Sequence, residues 1–481
     1  MRLQRLPAAA LAALFALGMA AAPALAKSHK HAPPRPAHGP AATAAALRDK
    51  ALADPTAFSI VESLTTEVGE RLAGTPAAER AKDWGLAKLT ALGFQNVHAE
   101  PFTFPAWIRG AESAEVTAPY PQKLQILGLG RSPATPPGGI EAEIVLFHHY
   151  ADLLAAKPGS LTGKIAVVTE PMPRNKEGSG YFITHKYRTD GPVEAARRGA
   201  VAYLLRSLST ANNRSPHAGA MHADEPLIPA AALGVADAEL IDRMAASGKP
   251  VRIRLSLSPT AISKAHAWNV VGEITGSERP DEAVVIGGHL DSWDPGQGAI
   301  DDGAGVAITV AAARLIGTLP RHPRRTIRVV LFGAEELDYS TAAYAAAHKT
   351  EAPRIVVLAE ADFGADPALS LQLPKGSRGA PALRPLASLL APLKISIDAQ
   401  PAQFAGDDFE DLQGLGVPVF GYRQDGSRYF DIHHSADDTL DKVSPEGLRQ
   451  NVAAWASLLY LIADSDIDFR ALAAAPAAKR P

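Results

Sequence analysis

The sequence predicts an α/β protein: a mostly parallel, mixed sheet sandwiched by helices, carrying an inserted β-rich segment. Three observations lead there. From Trp268 to Ala463, short apolar runs that suit buried strands alternate with helical stretches, the pattern of a sheet covered on both faces. Several of these runs end in His, Asp or Glu, and open α/β sheets carry their chemistry at the carboxyl ends of strands. Between residues 120 and 262 the character changes to short apolar runs separated by Pro- and Gly-rich turns.

Taken in order, residues 1–26 read as a secretory signal: Arg2 and Arg5, an apolar run from Leu6 to Met19, then Ala24-Leu25-Ala26 before Lys27. That apolar core is too short to span a bilayer and no other stretch is long enough, so we expect an exported chain, periplasmic or secreted, without a membrane span. Residues 27–43 read as a disordered lead-in whose His29, His31 and His38 are solvated. The spacing of Leu47, Leu52, Phe58, Ile60, Leu64, Leu86, Leu89 and Leu92 fits amphipathic helices ending at Gly93, with a turn-rich Glu70–Pro76 between them. Strands at 94–104 and 114–117 complete an N-terminal part, 44–119, of the main domain.

The insertion, 120–262, should hold strands at 124–129, 144–147 and 165–168 and helices at 193–198 and 236–246. Its loop Ser215-Pro216-His217-Ala218-Gly219 could approach a substrate, but His217 and His222 are read as solvated or hydrogen-bonded. The main domain resumes at 263 and runs to 470, before a flexible tail at 471–481. Its strands are expected at 270–274, 283–288, 326–332, 355–359 and 417–422, and its helices at 306–315, 342–348, 382–390 and 446–463.

Composition narrows the chemistry. With 481 residues and 47% hydrophobic content the chain can bury a large core. A formal charge of −3 gives no footprint for nucleic acid. There is no cysteine, which excludes disulfides, thiol nucleophiles and thiolate metal sites, so any transition metal must be held by His, Asp or Glu.

Four segments supply such donors. The first gives His289 and Asp291, followed by Asp301 and Asp302; the second ends in Glu335-Glu336; the third in Glu360-Ala361-Asp362. The fourth, Asp431 to Thr439, contains His433-His434. Acidic loops are mostly solvated surface, but recurrence at successive strand ends is informative. Two divalent ions sharing a carboxylate need one bridging Asp, about two further ligands each, and an adjacent base, and this inventory meets that count. Glu335, beside a ligand, suits the base; the Asp of His-x-Asp can accept a hydrogen bond from the histidine ring.

The motifs GGHLDSW, GAIDDGAG, GAEE, EAD and HHSADDT occur in the order found in zinc-dependent exopeptidases with co-catalytic metals, a family that includes bacterial leucyl aminopeptidases, and the chain resembles that family over nearly everything after the lead-in. The resemblance implies the zinc exopeptidase fold and two zinc ions, with His289 and Asp362 on one, Glu336 and His434 on the other, and Asp301 bridging. Glu335 would be the general base and Asp291 the residue that orients His289. His433 competes with His434, which fits better because Ser435 follows it and Asp438-Thr439 comes shortly after. The insertion resembles a protease-associated domain, the implied substrate is a dipeptide or short peptide with free termini, and a homodimer is implied as partner. Mixed His and carboxylate ligation also suits cobalt or manganese. After the Glu pair, Leu337-Asp338-Tyr339-Ser340-Thr341 replaces the family's glycine-rich turn, a departure that bears on the substrate pocket. Asp408 is read as supporting the site. Two other readings, a receptor-like binding module and a single-metal acyl-transferring cyclase, are disfavoured by the complete donor set.

Overall fold

The computed structural model describes residues 39–223 and 225–474; the stretch 1–26 read as a signal, the histidines at 29, 31 and 38, and residues 475–481 of the stretch read as a tail lie outside that range. A helix begins at Pro40, inside the stretch read as lead-in, and another, Phe469–Ala474, runs from the main domain into the stretch read as tail.

A five-stranded sheet positions the site. Across it the strands run Gln95–Ile108, Thr260–Ile274, Arg325–Phe332, Arg279–His289 and Ile355–Glu360. Val284, Val285 and Ile286 are fully buried, as are Ile327, Val329 and Val330, because helices cover both faces and leave no solvated side to alternate with. The sheet is less parallel than expected: only the junctions either side of Arg279–His289 are parallel, and the other two are antiparallel. Continuous apolar runs read alike in either direction. Here the direction is set by the short connection 275–278, which reverses the chain between Thr260–Ile274 and Arg279–His289.

The helix Gly303–Gly317 is buried at nearly every position, since it lies between the sheet and the helices Thr56–Glu67 and Pro445–Ala463. Asp302 caps its first turn by accepting from Gly305 N at 2.9 Å. Gly305 then passes so close to the end of the neighbouring strand that an added Cβ would stand 1.6 Å from Ala361 O. The last long helix, Pro445–Ala463, starts with Ser444 accepting from Gly447 N at 3.0 Å and Pro445 at its first position. The helix expected at 382–390 breaks at Pro385 into a 3₁₀ turn, Pro381–Leu383, and Leu386–Leu390. The run expected as a strand at 417–422 makes one bridge, Val419 to Leu358, before the strand Gly421–Gln424 joins a separate three-stranded sheet. Among the described residues no helix is long and apolar enough to cross a membrane.

An eight-stranded sheet holds most of residues 112–257, with its own core of Val116, Ile165, Val167, Leu204, Leu233, Ile253 and Leu255. It includes Glu112–Ala118, so it begins before residue 120. The expected helices appear as Gly191–Arg197 and Val235–Ala245.

Gly305→Ala should destabilise the fold by about 3 kcal/mol, because the extra methyl meets backbone that cannot move without displacing the strand end. Urea unfolding followed by circular dichroism measures this; an unchanged midpoint would contradict the close approach.

Candidate metal centre

Four of the donors sit at or just past a strand end. His289 is the last residue of Arg279–His289, Glu335 and Glu336 follow Arg325–Phe332, and Asp362 follows Ile355–Glu360. Asp301 comes from the loop before the helix Gly303–Gly317, and His434 from the irregular segment before Pro445–Ala463.

These residues converge on Asp301. One of its carboxylate oxygens lies 2.9 Å from His289 Nε2, the other 3.2 Å from His434 Nε2. Asp362 stands 3.7 Å from His289 Nε2, Glu336 lies 3.1 Å from His434 Nε2, and Glu335 reaches to 3.9 Å from His289 Nε2. Both adjacent histidines face the centre: His433 Nε2 is 3.5 Å from the same Asp301 oxygen, and its ring stacks on His434 with centroids 3.5 Å apart. Only His434 also meets Glu336. His434 holds this position at a φ of +58°, rare for a residue with a side chain, and the main chain of Ala218 pins it by donating to His434 O at 2.8 Å.

The electrostatics call for cations. Burial, reinforced by neighbouring carboxylates and opposed by the histidines, pushes Glu335 and Glu336 up from their ordinary values. Burial and adjacent carboxylates likewise raise Glu360 and Asp408, and bring Asp407 to about 6. Asp301 goes the other way: although burial would raise it, His289 and His434 hold it well below the carboxylate range. Burial alone would lower His434, yet Glu336 and Asp301 raise it to about 9. One buried oxygen each of Asp301 and Asp362 has no hydrogen-bond partner. The donor atoms of His289, Asp301 and Glu336 lie within 4.8 Å of one another, as do those of Asp301, His433 and His434. Buried carboxylates lacking donors, interleaved with imidazoles, fit divalent cations.

Asp291 supports the site in two ways. Its main-chain carbonyl lies 3.0 Å from His289 Nδ1, while its carboxylate, 3.7 Å from that nitrogen, accepts instead from Glu335 N at 3.0 Å. Glu336 accepts from Trp293 N at 3.2 Å, and Asp408 accepts from Ser340 Oγ at 2.7 Å.

Residues 269–459 match the model of Peptidase family M28. The chain is 37% identical to carboxypeptidase Q of Mus musculus over 406 residues, 84% of each protein. The chain belongs to peptidase family M28. Among solved structures, a peptidase M28 precursor from Shewanella amazonensis superposes with a TM-score of 0.86 at 43% identity, covering 89% of this chain and 98% of that one. A zinc aminopeptidase from Bacillus subtilis shares the fold, with a TM-score of 0.61 at 18% identity over 86% of this chain and 96% of that one.

Two residues brace this M28 peptidase's centre in roles that a reading of the sequence does not reach. Asp438 accepts from Ile300 N at 2.7 Å with one oxygen and from Asp301 N at 3.1 Å with the other, fixing the backbone that carries the central carboxylate. Burial, reinforced by Asp301, pushes it up to about 7. Arg71 is wholly buried and donates to Leu290 O, to Gln297 O at 2.6 Å and to Gly298 O at 2.8 Å, clasping the loop between His289 and Asp301. The one sequence signal for Arg71 is a lone arginine in the turn between two apolar helix faces.

Asp438→Asn replaces one acceptor with a donor facing an N–H, so it should weaken divalent-metal affinity about 10- to 100-fold, as loss of outer ligand support does elsewhere. Competition with a chromogenic chelator reads this directly, and an unchanged affinity would detach Asp438 from the site.

Proposed function

We propose that this M28 peptidase is an exported di-zinc exopeptidase that hydrolyses dipeptides or short peptides with free termini. The observation that carries the reading is the Asp301 carboxylate, with His289 2.9 Å from one oxygen and His434 3.2 Å from the other, the layout a bridging ligand needs. His289 and Asp362 would hold one ion, Glu336 and His434 the other, and Asp301 both. The similarity to carboxypeptidase Q supports an exopeptidase. The pattern of residues 1–26 supports export, and residues 44–119 with 263–470 would form the peptidase domain around a protease-associated insertion at 120–262. A homodimer fits this reading.

Divalent cations held by His289, Asp301, Glu336, Asp362 and His434 would supply activation of the attacking water and polarisation of the scissile carbonyl. Glu335 is free to act as the base: its carboxylate takes a proton from the attacking water and returns it to the leaving amine nitrogen as the C–N bond breaks. Asp291, bonded to Glu335 N at 3.0 Å, fixes the backbone from which that carboxylate reaches in.

Two tests follow. Glu335→Gln should lower kcat by at least about 10³-fold while elemental analysis still finds two zinc ions per chain; loss of metal would reassign Glu335 as a ligand. In a panel of dipeptides, free and blocked at either end, the wild-type enzyme with zinc should cleave the free ones and spare internal bonds of long peptides. Indifference to the carboxyl end with rejection of N-blocked substrates would favour an aminopeptidase, the alternative reading.

A further inference from the structure

Beside the metal centre the end of the strand Ile355–Glu360 opens on a cavity of about 660 Å³, whose wall includes Glu360, Asp362 and Asp407. Asp362 is turned to the centre, 3.7 Å from His289 Nε2. The two cations on the cavity wall face other acids: Lys176 lies 3.5 Å from Asp425, and Arg423 lies 3.9 Å from Asp398, which also accepts from Ser370 Oγ at 3.0 Å. Among the described residues neither Glu360 nor Asp407 forms an ion pair with lysine, arginine or histidine.

The loop 405–408 fixes this pair. Glu360 is 8% exposed; its N donates to Ala405 O at 2.7 Å and its Oε2 accepts from Asp408 N at 3.1 Å. Gly406, at a φ of +122°, lets the backbone pass against that carboxylate, where an added Cβ would collide with Oε2. Oε1 is left buried without a partner. A buried carboxylate oxygen that meets no donor is costly, and a cation brought to it relieves that cost. Asp407 follows on the same loop and is exposed on the cavity wall.

Between the acids the wall is apolar. Phe363, Leu369, Phe404 and Tyr422 line it, and Phe404 and Leu369 remain 45% and 37% exposed. Rings and aliphatic side chains beside unpaired carboxylates suit an amphipathic cation, whose methylene stem lies on the apolar wall while its charge meets the acids, with attraction to an aromatic face in addition. A wholly apolar group would leave Glu360 Oε1 unmet, and an anion would add to the repulsion. Glu360 and Asp362 are two residues apart, about 7 Å of extended chain, which matches the reach of a lysine side chain from its Cα.

We propose that Glu360 and Asp407 form a subsite for a basic side chain, lysine or arginine, on a residue flanking the scissile bond, so that this peptidase favours dipeptides and short peptides carrying such a residue. Asp407 meets the cation from the open wall and Glu360 from behind it, while Phe363, Phe404 and Leu369 hold the stem. The inference rests on the exopeptidase reading and adds a substrate class to it.

The test compares dipeptides containing lysine with the same dipeptides containing norleucine, which keeps the four-carbon stem and lacks the ammonium, at each of the two positions. Wild-type enzyme with zinc should favour lysine at one position by about 10- to 100-fold in kcat/KM, the range for hydrogen bonds to a charged group. Asp407→Asn and Glu360→Gln should each reduce that ratio, and Asp407→Lys should turn it below one. In a Glu335→Gln background, calorimetry should show the Kd for the lysine dipeptide rising with Asp407→Asn by a factor similar to the fall in the ratio, at unchanged zinc content. A wild-type ratio near one at both positions, or a ratio that survives Asp407→Lys, would overturn the subsite. Equal losses on lysine and norleucine dipeptides in both Asp407→Asn and Asp407→Lys would make the loop a structural support of the strand end and overturn it as well. A wild-type enzyme that cleaves none of these dipeptides would overturn the peptidase reading itself.

Discussion

The structure depends on one buried carboxylate facing two ways. Asp301 is 4% exposed, with an imidazole on each oxygen and the Glu336 and Asp362 carboxylates beyond. So many acidic groups in a dry pocket repel one another and lose hydration, which is why burial raises Glu335, Glu336, Glu360 and Asp408 while Asp301, the best supplied with positive neighbours, is lowered. That arrangement holds only if the backbone around Asp301 cannot relax. Asp438 takes the amides of residues 300 and 301, Asp302 caps the following helix and accepts from His289 N at 3.1 Å, and Arg71 clasps the preceding loop. Each of these turns a surface-type residue into a buried brace, and each spends its hydrogen bonds on backbone rather than on neighbouring side chains.

The ligand-type residues were legible because chemistry fixes their identity and order. His289, Asp301, Glu336, Asp362 and His434 follow strands whose apolar runs are plain, and the structure brings all five together. What supports them was less legible. Asp438 was noticed only as part of a motif, since its partners are main-chain amides that leave no trace in a sequence. Arg71 sat in a stretch read merely as a turn. Sheet direction was also hidden, because Val284–Ile286 and Val329–Leu331 are buried on both faces and carry no alternation. Asp291 shows a further limit: its side chain type suggested a bond to His289, but the main-chain carbonyl took that role and freed the carboxylate for Glu335 N.

The segment after Glu336 reads Leu337-Asp338-Tyr339-Ser340-Thr341, and its geometry shows what these side chains do. Leu337 is buried beside Trp107, Trp293 and Ala334, and Asp338 turns outward at a φ of +58° to pair with Arg131 at 3.0 Å. Arg131 also donates to Leu337 O. Asp338 and the Leu337 carbonyl therefore tie the turn, through Arg131, to the eight-stranded part of the molecule.

That tie is one of three with the same logic. Arg109 binds Asp294 through two bonds of 2.6 and 3.0 Å, a few residues after His289. Arg131 binds Asp338, two residues after Glu336. Arg174 binds Asp431 at 2.5 and 3.1 Å, just before His433 and His434. Each arginine lies at or within the eight-stranded part, and each partner aspartate lies on a different donor-bearing segment. Isolated exposed ion pairs contribute little to stability, but forked arginine–carboxylate pairs fix orientation as well as distance. Two such forked pairs, Arg109–Asp294 and Arg174–Asp431, together with the single bond of Arg131 to Asp338, constrain how the side chains of one sheet face the donors of the other.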